Sequence, residues 1–480
     1  MTDTPLWQLS ATDLAAQTRS GAVTAEAAVG DSVARMRAVN PALNAVVTDL
    51  GEAALETARG LDKARAGGAE PGPLHGVPVT IKINVDQAGQ ASSNGVVALR
   101  DLIAPEDAPL VRALQDAGAV VIGRTNTPEF SFRADTDNPL FGRTHNPWGR
   151  HVSPGGSSGG AGSAVMAGMG PLAHGNDIGG SLRFPASANG AVTVKPGLGR
   201  VPAWNASQKA ERGLLAQLMS VQGLITRHAR DLHLAMPVIT APDWRDPFHA
   251  PVPWRGPALE GPVRVGFTDR TYGADLHPDV AAALQAARKA LQDAGYLVED
   301  IDPPVMPEAG ETGYRAILTE VSLMMKRDIE AAGSPAIRAI FEEYFRQFPP
   351  FETEEYLQAL ARRTHYAREW AGLTQRYPLV LTPFLPQPFF TPGRDVEGAG
   401  GVKEALGVAL WSFSMNFMGL PAGNLPTHLA DLPRGPVPIG VQIVGRRWRE
   451  DLVVDAMTAI EDRLGAMAPR LWQHRAAQQG

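Results

Sequence analysis

The stretch that decides the fold runs Gly155-Gly156-Ser157-Ser158-Gly159-Gly160, continues through small residues to Gly170, and resumes as Gly175-Asn176-Asp177-Ile178-Gly179-Gly180-Ser181-Leu182-Arg183-Phe184-Pro185. Two serine-bearing turns, each rich in glycine, flank a helix-like run with Ala161, Ala164, Val165, Met166 and Ala167. Glycine lacks the Cβ that would hold a ligand away from backbone N–H groups, so such turns suit an active site. Taken bare, Gly-Gly-Ser-Ser-Gly-Gly also fits a flexible linker. Gly-x-Ser-x-Gly fits the nucleophile elbow of an α/β-hydrolase, but that elbow needs a strand immediately before it. Here the preceding residues, Asn146-Pro147-Trp148-Gly149-Arg150-His151-Val152-Ser153-Pro154, contain two prolines. A phosphate loop is disfavoured too, since no Gly-Lys-Ser/Thr follows and no Gly-x-Gly-x-x-Gly opens the helix.

Upstream, Leu74-His75-Gly76-Val77-Pro78-Val79-Thr80-Ile81-Lys82-Ile83-Asn84 reads as a strand. Val77, Val79 and Ile81 share one face at period two, which turns Thr80 and Lys82 to the other. A lone lysine at a strand end is ordinarily solvated; only the serine turns make a buried base an alternative. Before this strand, Ser10-Ala11-Thr12-Asp13 starts one helix, and a second from about Thr24 places Val29, Val33 and Met36 on one face until Asn40-Pro41 stops it. A strand from Asn44 to Leu50 and a helix from Glu52 to Ala66 follow.

Beyond the lysine, Asp107 and Pro109 open a helix to Gly118, and Ala119 to Gly123 reads as a buried strand. The irregular stretch Thr125 to Trp148 is long enough to suggest function. Pro185 to Arg200 reads as turn-rich. Then come a strand at Val263 to Phe267, a helix at Pro278 to Ala294, a mostly helical peripheral layer from about Glu311 to Arg376, strands at Leu379 to Thr382 and Val437 to Gly445, and a closing helix at Asp451 to Leu464. This alternation predicts an α/β fold: a single large domain over residues 1–480 whose central mixed β-sheet is covered by helices on both faces, with core motifs in 70–205 and a helical insertion at about 311–376.

The formal net charge of −6 and the absence of dense Lys/Arg runs argue against nucleic acid and membrane surfaces as partners. No cysteine is present, which removes disulfides, thiolate metal sites and a cysteine nucleophile. Met1-Thr2-Asp3-Thr4-Pro5-Leu6-Trp7 carries no basic region followed by an apolar core, so the expected location is cytoplasmic. The downstream histidines, His174 and His228 among them, show no pairing with carboxylates that would single one out for catalysis.

Several separated motifs agree in order with the amidase signature family, which this chain resembles over nearly its whole length. They are Gly76-Val77-Pro78-Val79-Thr80-Ile81-Lys82, Thr125-Asn126-Thr127-Pro128-Glu129-Phe130, Gly155 to Gly160, and Asp177 to Ala186, with weaker likeness at Asn40-Pro41-Ala42-Leu43-Asn44-Ala45 and Gly440-Val441-Gln442-Ile443-Val444-Gly445. The resemblance implies Ser181 as nucleophile, Ser157 as bridging serine after a cis peptide from Gly156, and Lys82 as base. It further implies backbone donors at Ile178, Gly179 and Gly180, and a substrate contact at Ser131, although a plain loop serine also fits there. Ser158, Asp177 and Arg183 would support the turns, with a surface ion pair the alternative for Asp177 and Arg183. The implied reaction is hydrolysis of a small-molecule amide with no metal or organic cofactor, and the family allows for a homo-oligomer.

Physical chemistry sets its own conditions on that scheme. A serine hydroxyl needs a base, and only about 0.04% of an unperturbed lysine is neutral at pH 7, so burial must lower its pKa. Negative charge on a tetrahedral carbon needs aligned donors, each worth about a hundred- to a thousandfold in rate. Two departures matter: Lys82-Ile83-Asn84 replaces the Lys-Asp-Asn of many amidases, and Arg183-Phe184-Pro185 differs from the Arg-Gln-Pro typical of the A subunit of an aminoacyl-tRNA amidotransferase. That amidotransferase component is the alternative reading, and a non-catalytic binding protein that kept the fold is the other. Specificity is expected from the loop near Ser131, the 311–376 insertion, and Phe389, Phe390, Trp411 and Phe413, which equally fit a core.

Overall fold

The chain forms eleven strands: β1 (Val46–Asp49), β2 (Pro78–Lys82), β3 (Val120–Thr125), β4 (Leu172–Asp177), β5 (Val192–Lys195), β6 (Val221–Thr226), β7 (Arg264–Phe267), β8 (Leu297–Asp300), β9 (Leu379–Pro383), β10 (Ala422–Leu432) and β11 (Gly435–Gly445). The computed structural model describes residues 4–479, so Met1-Thr2-Asp3 of the N-terminal reading lies outside the described residues. The strands make one sheet in the order β1-β3-β2-β4-β6-β5-β10-β11-β9-β7-β8. β2 runs parallel to β3 and β4, and β7 parallel to β8 and β9. The remaining neighbours are antiparallel, so the sheet is mixed.

Successive strand residues point to opposite faces, and both faces are buried along the central strands, while the edge strands β1 and β8 are partly exposed. Val79, Ile81, Leu172, Leu224, Leu379 and Leu381 pack into one core with the helices Pro109–Asp116, Ala229–Ile239, Pro278–Asp293 and Glu450–Leu464. Ala173 and Ile225, one residue out of phase, face a second core with the helices Gly159–Ala167 and Arg183–Asn189. Val380 and Val444 face a third, formed with Met306–Met324, Pro335–Gln347 and Thr353–Arg376. Each Leu, Ile or Val removed from water in these layers contributes about 1.5–3 kcal/mol before the cost of ordering.

Local chemistry explains most boundaries. Ser10 caps the first helix by accepting the Asp13 N–H at 3.0 Å, and Gly21 ends it with φ 79°. Three expectations are corrected. The second helix runs Ala25–Leu43, past Asn40-Pro41, and ends on Asn44 at φ 50°. Proline removes one N–H, while the Asn40 side chain accepts from Ala45 and Val46 N–H and donates to Val46 O, and so starts β1. Pro185 to Arg200 is not simply turn-rich: it holds the end of the helix Arg183–Asn189 and all of β5, with Pro185 in the helix's first turn, where its missing N–H costs little. The third correction adds β4, β6, β8 and β10, strands that the hydrophobic pattern of the sequence does not announce.

Candidate active site

β2 sends Val79 and Ile81 into one core and Lys82 to the opposite face, where the amine is sealed from solvent. The expectation of a solvated lysine for this position alone is therefore overturned. Lys82 Nζ lies 2.7 Å from Ser157 Oγ, 3.1 Å from Ser158 Oγ and 2.8 Å from Asn176 Oδ1. Burial drives its pKa well below the ordinary lysine range, and Asp177 only partly opposes the shift. β4 lines the same region: His174 Nδ1 accepts the Lys82 backbone N–H at 3.4 Å, and His174 Nε2 meets Gln222 Oε1 at 2.9 Å. Burial pushes this histidine down to about 3, so it is a neutral, core-satisfied residue.

Ser157 follows a cis peptide bond from Gly156 and stands on the wall of a cavity of about 430 Å³ that Ser181 also lines. A Cβ on Gly156 would fall 2.3 Å from the Arg133 carbonyl oxygen, so only glycine fits this approach. No strand precedes the turn, in contrast with a nucleophile elbow. The Ser181 carbonyl accepts the Ser158 N–H at 3.3 Å, which ties the two serine turns together. Among the described residues no hydrogen bond joins the Ser157 and Ser181 hydroxyls.

Asp177 and Arg183 form a buried pair, not a surface one: Nε donates to Oδ2 at 3.0 Å and Nη2 to Oδ1 at 3.1 Å, with both side chains closed to solvent. Burial alone would raise the Asp177 carboxyl, but Arg183 and the Leu182 N–H hold it below its ordinary value. Asp177 also accepts the N–H groups of Gly180 at 2.7 Å and Leu182 at 3.1 Å, so one carboxylate clamps the turn that carries Ser181. The Gly180 N–H is thereby committed, and the backbone there turns through φ 136°, a region only glycine enters easily.

Ser131 reaches the cavity, and it is wired into the site. Its hydroxyl donates to Asn94 Oδ1 at 2.5 Å and accepts from Asn84 Nδ2 at 2.9 Å; Asn84 Oδ1 accepts from Asn176 Nδ2 at 3.0 Å, and Asn176 meets Lys82. Sequence reasoning assigns no role to Asn84 or Asn176. The available signal is Asn176's period-two spacing from His174. Phe130, Phe132, Ile178, Ile317 and Val321 give the cavity an apolar side, and Asn84, Asn205, Gln208 and Arg212 a polar one. A second chamber of about 40 Å³ adjoins Ser181, walled by Phe132, Phe184, Phe413 and Leu406. Phe389, Phe390 and Trp411 belong to the cores. Among the described residues no group of three or more His, Asp or Glu could hold a metal ion, and no helix is long and apolar enough to cross a membrane.

A family model described as Amidase matches residues 27–454. Indoleacetamide hydrolase of Bradyrhizobium diazoefficiens is 46% identical over 470 residues, which cover 98% of this chain and 89% of that protein. The 6-aminohexanoate-cyclic-dimer hydrolase of Paenarthrobacter ureafaciens is 31% identical, over 98% of this chain and 97% of that one. The solved structure of a 6-aminohexanoate cyclic dimer hydrolase in complex with substrate aligns with a TM-score of 0.82 at 29% identity, covering 98% of this chain and all of the other.

Proposed function

The chain belongs to the amidase signature family and is an amide hydrolase, and we propose that it works through an acyl-enzyme on Ser181, with Ser157 passing the proton and Lys82 as base. The observation that carries this reading is the sealed Lys82 amine 2.7 Å from Ser157 Oγ. A neutral amine has two N–H bonds and one lone pair. Asn176 Oδ1 can only accept, and Ser158 Oγ is itself turned as a donor toward Asn176 O at 3.4 Å, so these two take the N–H bonds. The lone pair is left for the Ser157 hydroxyl.

In the proposed cycle, Ser181 Oγ attacks the amide carbon while its proton moves to Ser157 Oγ and the Ser157 proton moves to Lys82 Nζ. The tetrahedral oxyanion takes hydrogen bonds from the Ile178, Gly179 and Ser181 N–H groups, since that of Gly180 is occupied by Asp177. The C–N bond then breaks as the nitrogen recovers a proton along the reverse path. Water, deprotonated by the same relay, cleaves the ester and restores Ser181. The cavity volume fits a small-molecule acyl group, with Phe130, Phe132 and Ile317 against its apolar part. The likeness to indoleacetamide hydrolase supports a small carboxamide as substrate.

Trapping tests the scheme. A serine-directed fluorophosphonate should label Ser181, and acid quench during turnover should give the acyl mass on the peptide that contains it. Label on another serine, or a Lys82→Ala enzyme with the wild-type rate, would refute the assignment.

A further inference from the structure

Segment 203–213 forms part of the cavity wall and is fastened at three points. Asp86, fully buried four residues beyond Lys82, accepts the Ser207 N–H and hydroxyl at 2.7 Å each, and its own N–H donates to Asn205 Oδ1 at 3.0 Å. Asp246 Oδ2 accepts the Ala203 N–H at 2.8 Å. Past the segment, Glu320 caps the helix Leu214–Met219, taking the N–H groups of Leu215 at 2.7 Å and Ala216 at 2.8 Å. A side chain carried here is held in place.

Arg212 is that side chain, and it opens on the cavity shared with Ser157 and Ser181. Its side chain makes one hydrogen bond among the described residues, Nη1 to Ser220 Oγ at 3.1 Å, and it forms no salt bridge there. Glu320, a carboxylate on the same wall, spends its oxygens on two backbone N–H groups and the Tyr356 hydroxyl. Burial pulls the guanidinium's pKa down while Asp246, Glu211 and Glu320 push it back, and the group remains a cation. The guanidinium is partly open to the cavity, and with one of its five N–H donors taken the others are free to meet an acceptor on a ligand.

We propose that Arg212 is a specificity-determining residue that binds an oxygen acceptor, a carboxylate or a carbonyl, at the far end of the substrate's acyl group. This rests on the amidase reading of the cavity above. Planar donors favour a two-point contact with such a group. Glu211 and Asp328, which also line the cavity, favour the opposite choice, a cationic end, and the same experiment separates the two.

The test compares ω-carboxy amides from succinamic to pimelamic acid, the corresponding diamides, ω-amino amides, and plain alkanamides of equal chain length. The quantity read is the ratio of kcat/KM for each functionalised amide to that for its alkanamide. At the best-fitting length the acceptor-bearing amide should lead by about ten- to a hundredfold, the range for a hydrogen bond to a charged group. Arg212→Gln should bring that ratio toward one, with Arg212→Lys partly restoring the carboxylate preference. The ratio does not depend on how much of a variant folds. A wild-type ratio near one at every length, a preference for the ω-amino series, or an unchanged ratio in Arg212→Gln would overturn the proposal. Failure of the wild type to cleave any amide would instead sink the parent reading.

Discussion

Asn176 Oδ1 lies 2.8 Å from Lys82 Nζ, and the same side chain donates to Asn84 Oδ1 at 3.0 Å. A neutral amide beside the amine fixes its orientation without lending it negative charge. Asn176→Asp would put a carboxylate at this contact and favour the ammonium. The acid limb of kcat/KM against pH should move upward by about one to three pH units, and activity at neutral pH should fall accordingly. A limb at the wild-type position would show that this contact does not govern the amine.

Lys82 must be neutral to act, so kcat/KM should rise with pH through its depressed pKa and then level off. Lys195, also buried and lowered to about 7, is a second lysine that could produce such a limb. Its amine donates to Pro196 O and touches neither serine. Lys195→Met should keep the limb, and loss of it would transfer the assignment. Stability has its own sign. Between about 7 and 10.5 the unfolded chain protonates Lys195 and the native state does not, so Lys195 makes thermal stability rise with pH in that window.

Ser157→Ala removes the proposed relay but leaves Ser181 and the cavity. It should lower kcat by about a hundred- to ten-thousandfold with a small change in KM, measured by steady-state kinetics. A large rise in KM with kcat intact would assign Ser157 to binding.

Asp177→Asn leaves the Arg183 guanidinium buried beside a neutral amide. Removing one partner from such a pair costs about 3–5 kcal/mol, so the urea midpoint should fall sharply. Turnover should fall as well, because the Gly180 and Leu182 N–H groups lose the carboxylate that clamps the Ser181 turn. A variant as stable as wild type would mean that the pair is not the strut it resembles.

Asp86→Asn should loosen segment 203–213 without touching Lys82. The expected signature is a KM raised about tenfold with kcat within about threefold, and restoration by Asp86→Glu. A proportional fall in kcat alone would argue against the fastening.

Much of this is legible in the sequence because local rules and function coincide there. Val79 and Ile81 alternate with Lys82, and the glycines around Ser157 and Ser181 announce close backbone approach. β4 is not legible, since His174, Gly175, Asn176 and Asp177 are spent on the site and break the apolar pattern of a central strand. The burial of Arg183 is also hidden: its partners Gln442 and Asn416 lie far along the chain, and no local spacing announces them. Arg212 sits in an irregular segment without periodicity, and only the tertiary fold brings it to the cavity.

β4 ends on two adjacent residues that serve different masters, Asn176 toward Lys82 and Asp177 toward Arg183. Gaining or losing one residue here would carry both side chains away from their partners at once. Length variation along this strand is therefore closed to natural drift and to the protein engineer alike. New substrate ranges must be sought in the wall segments, where chain can be added without disturbing that register.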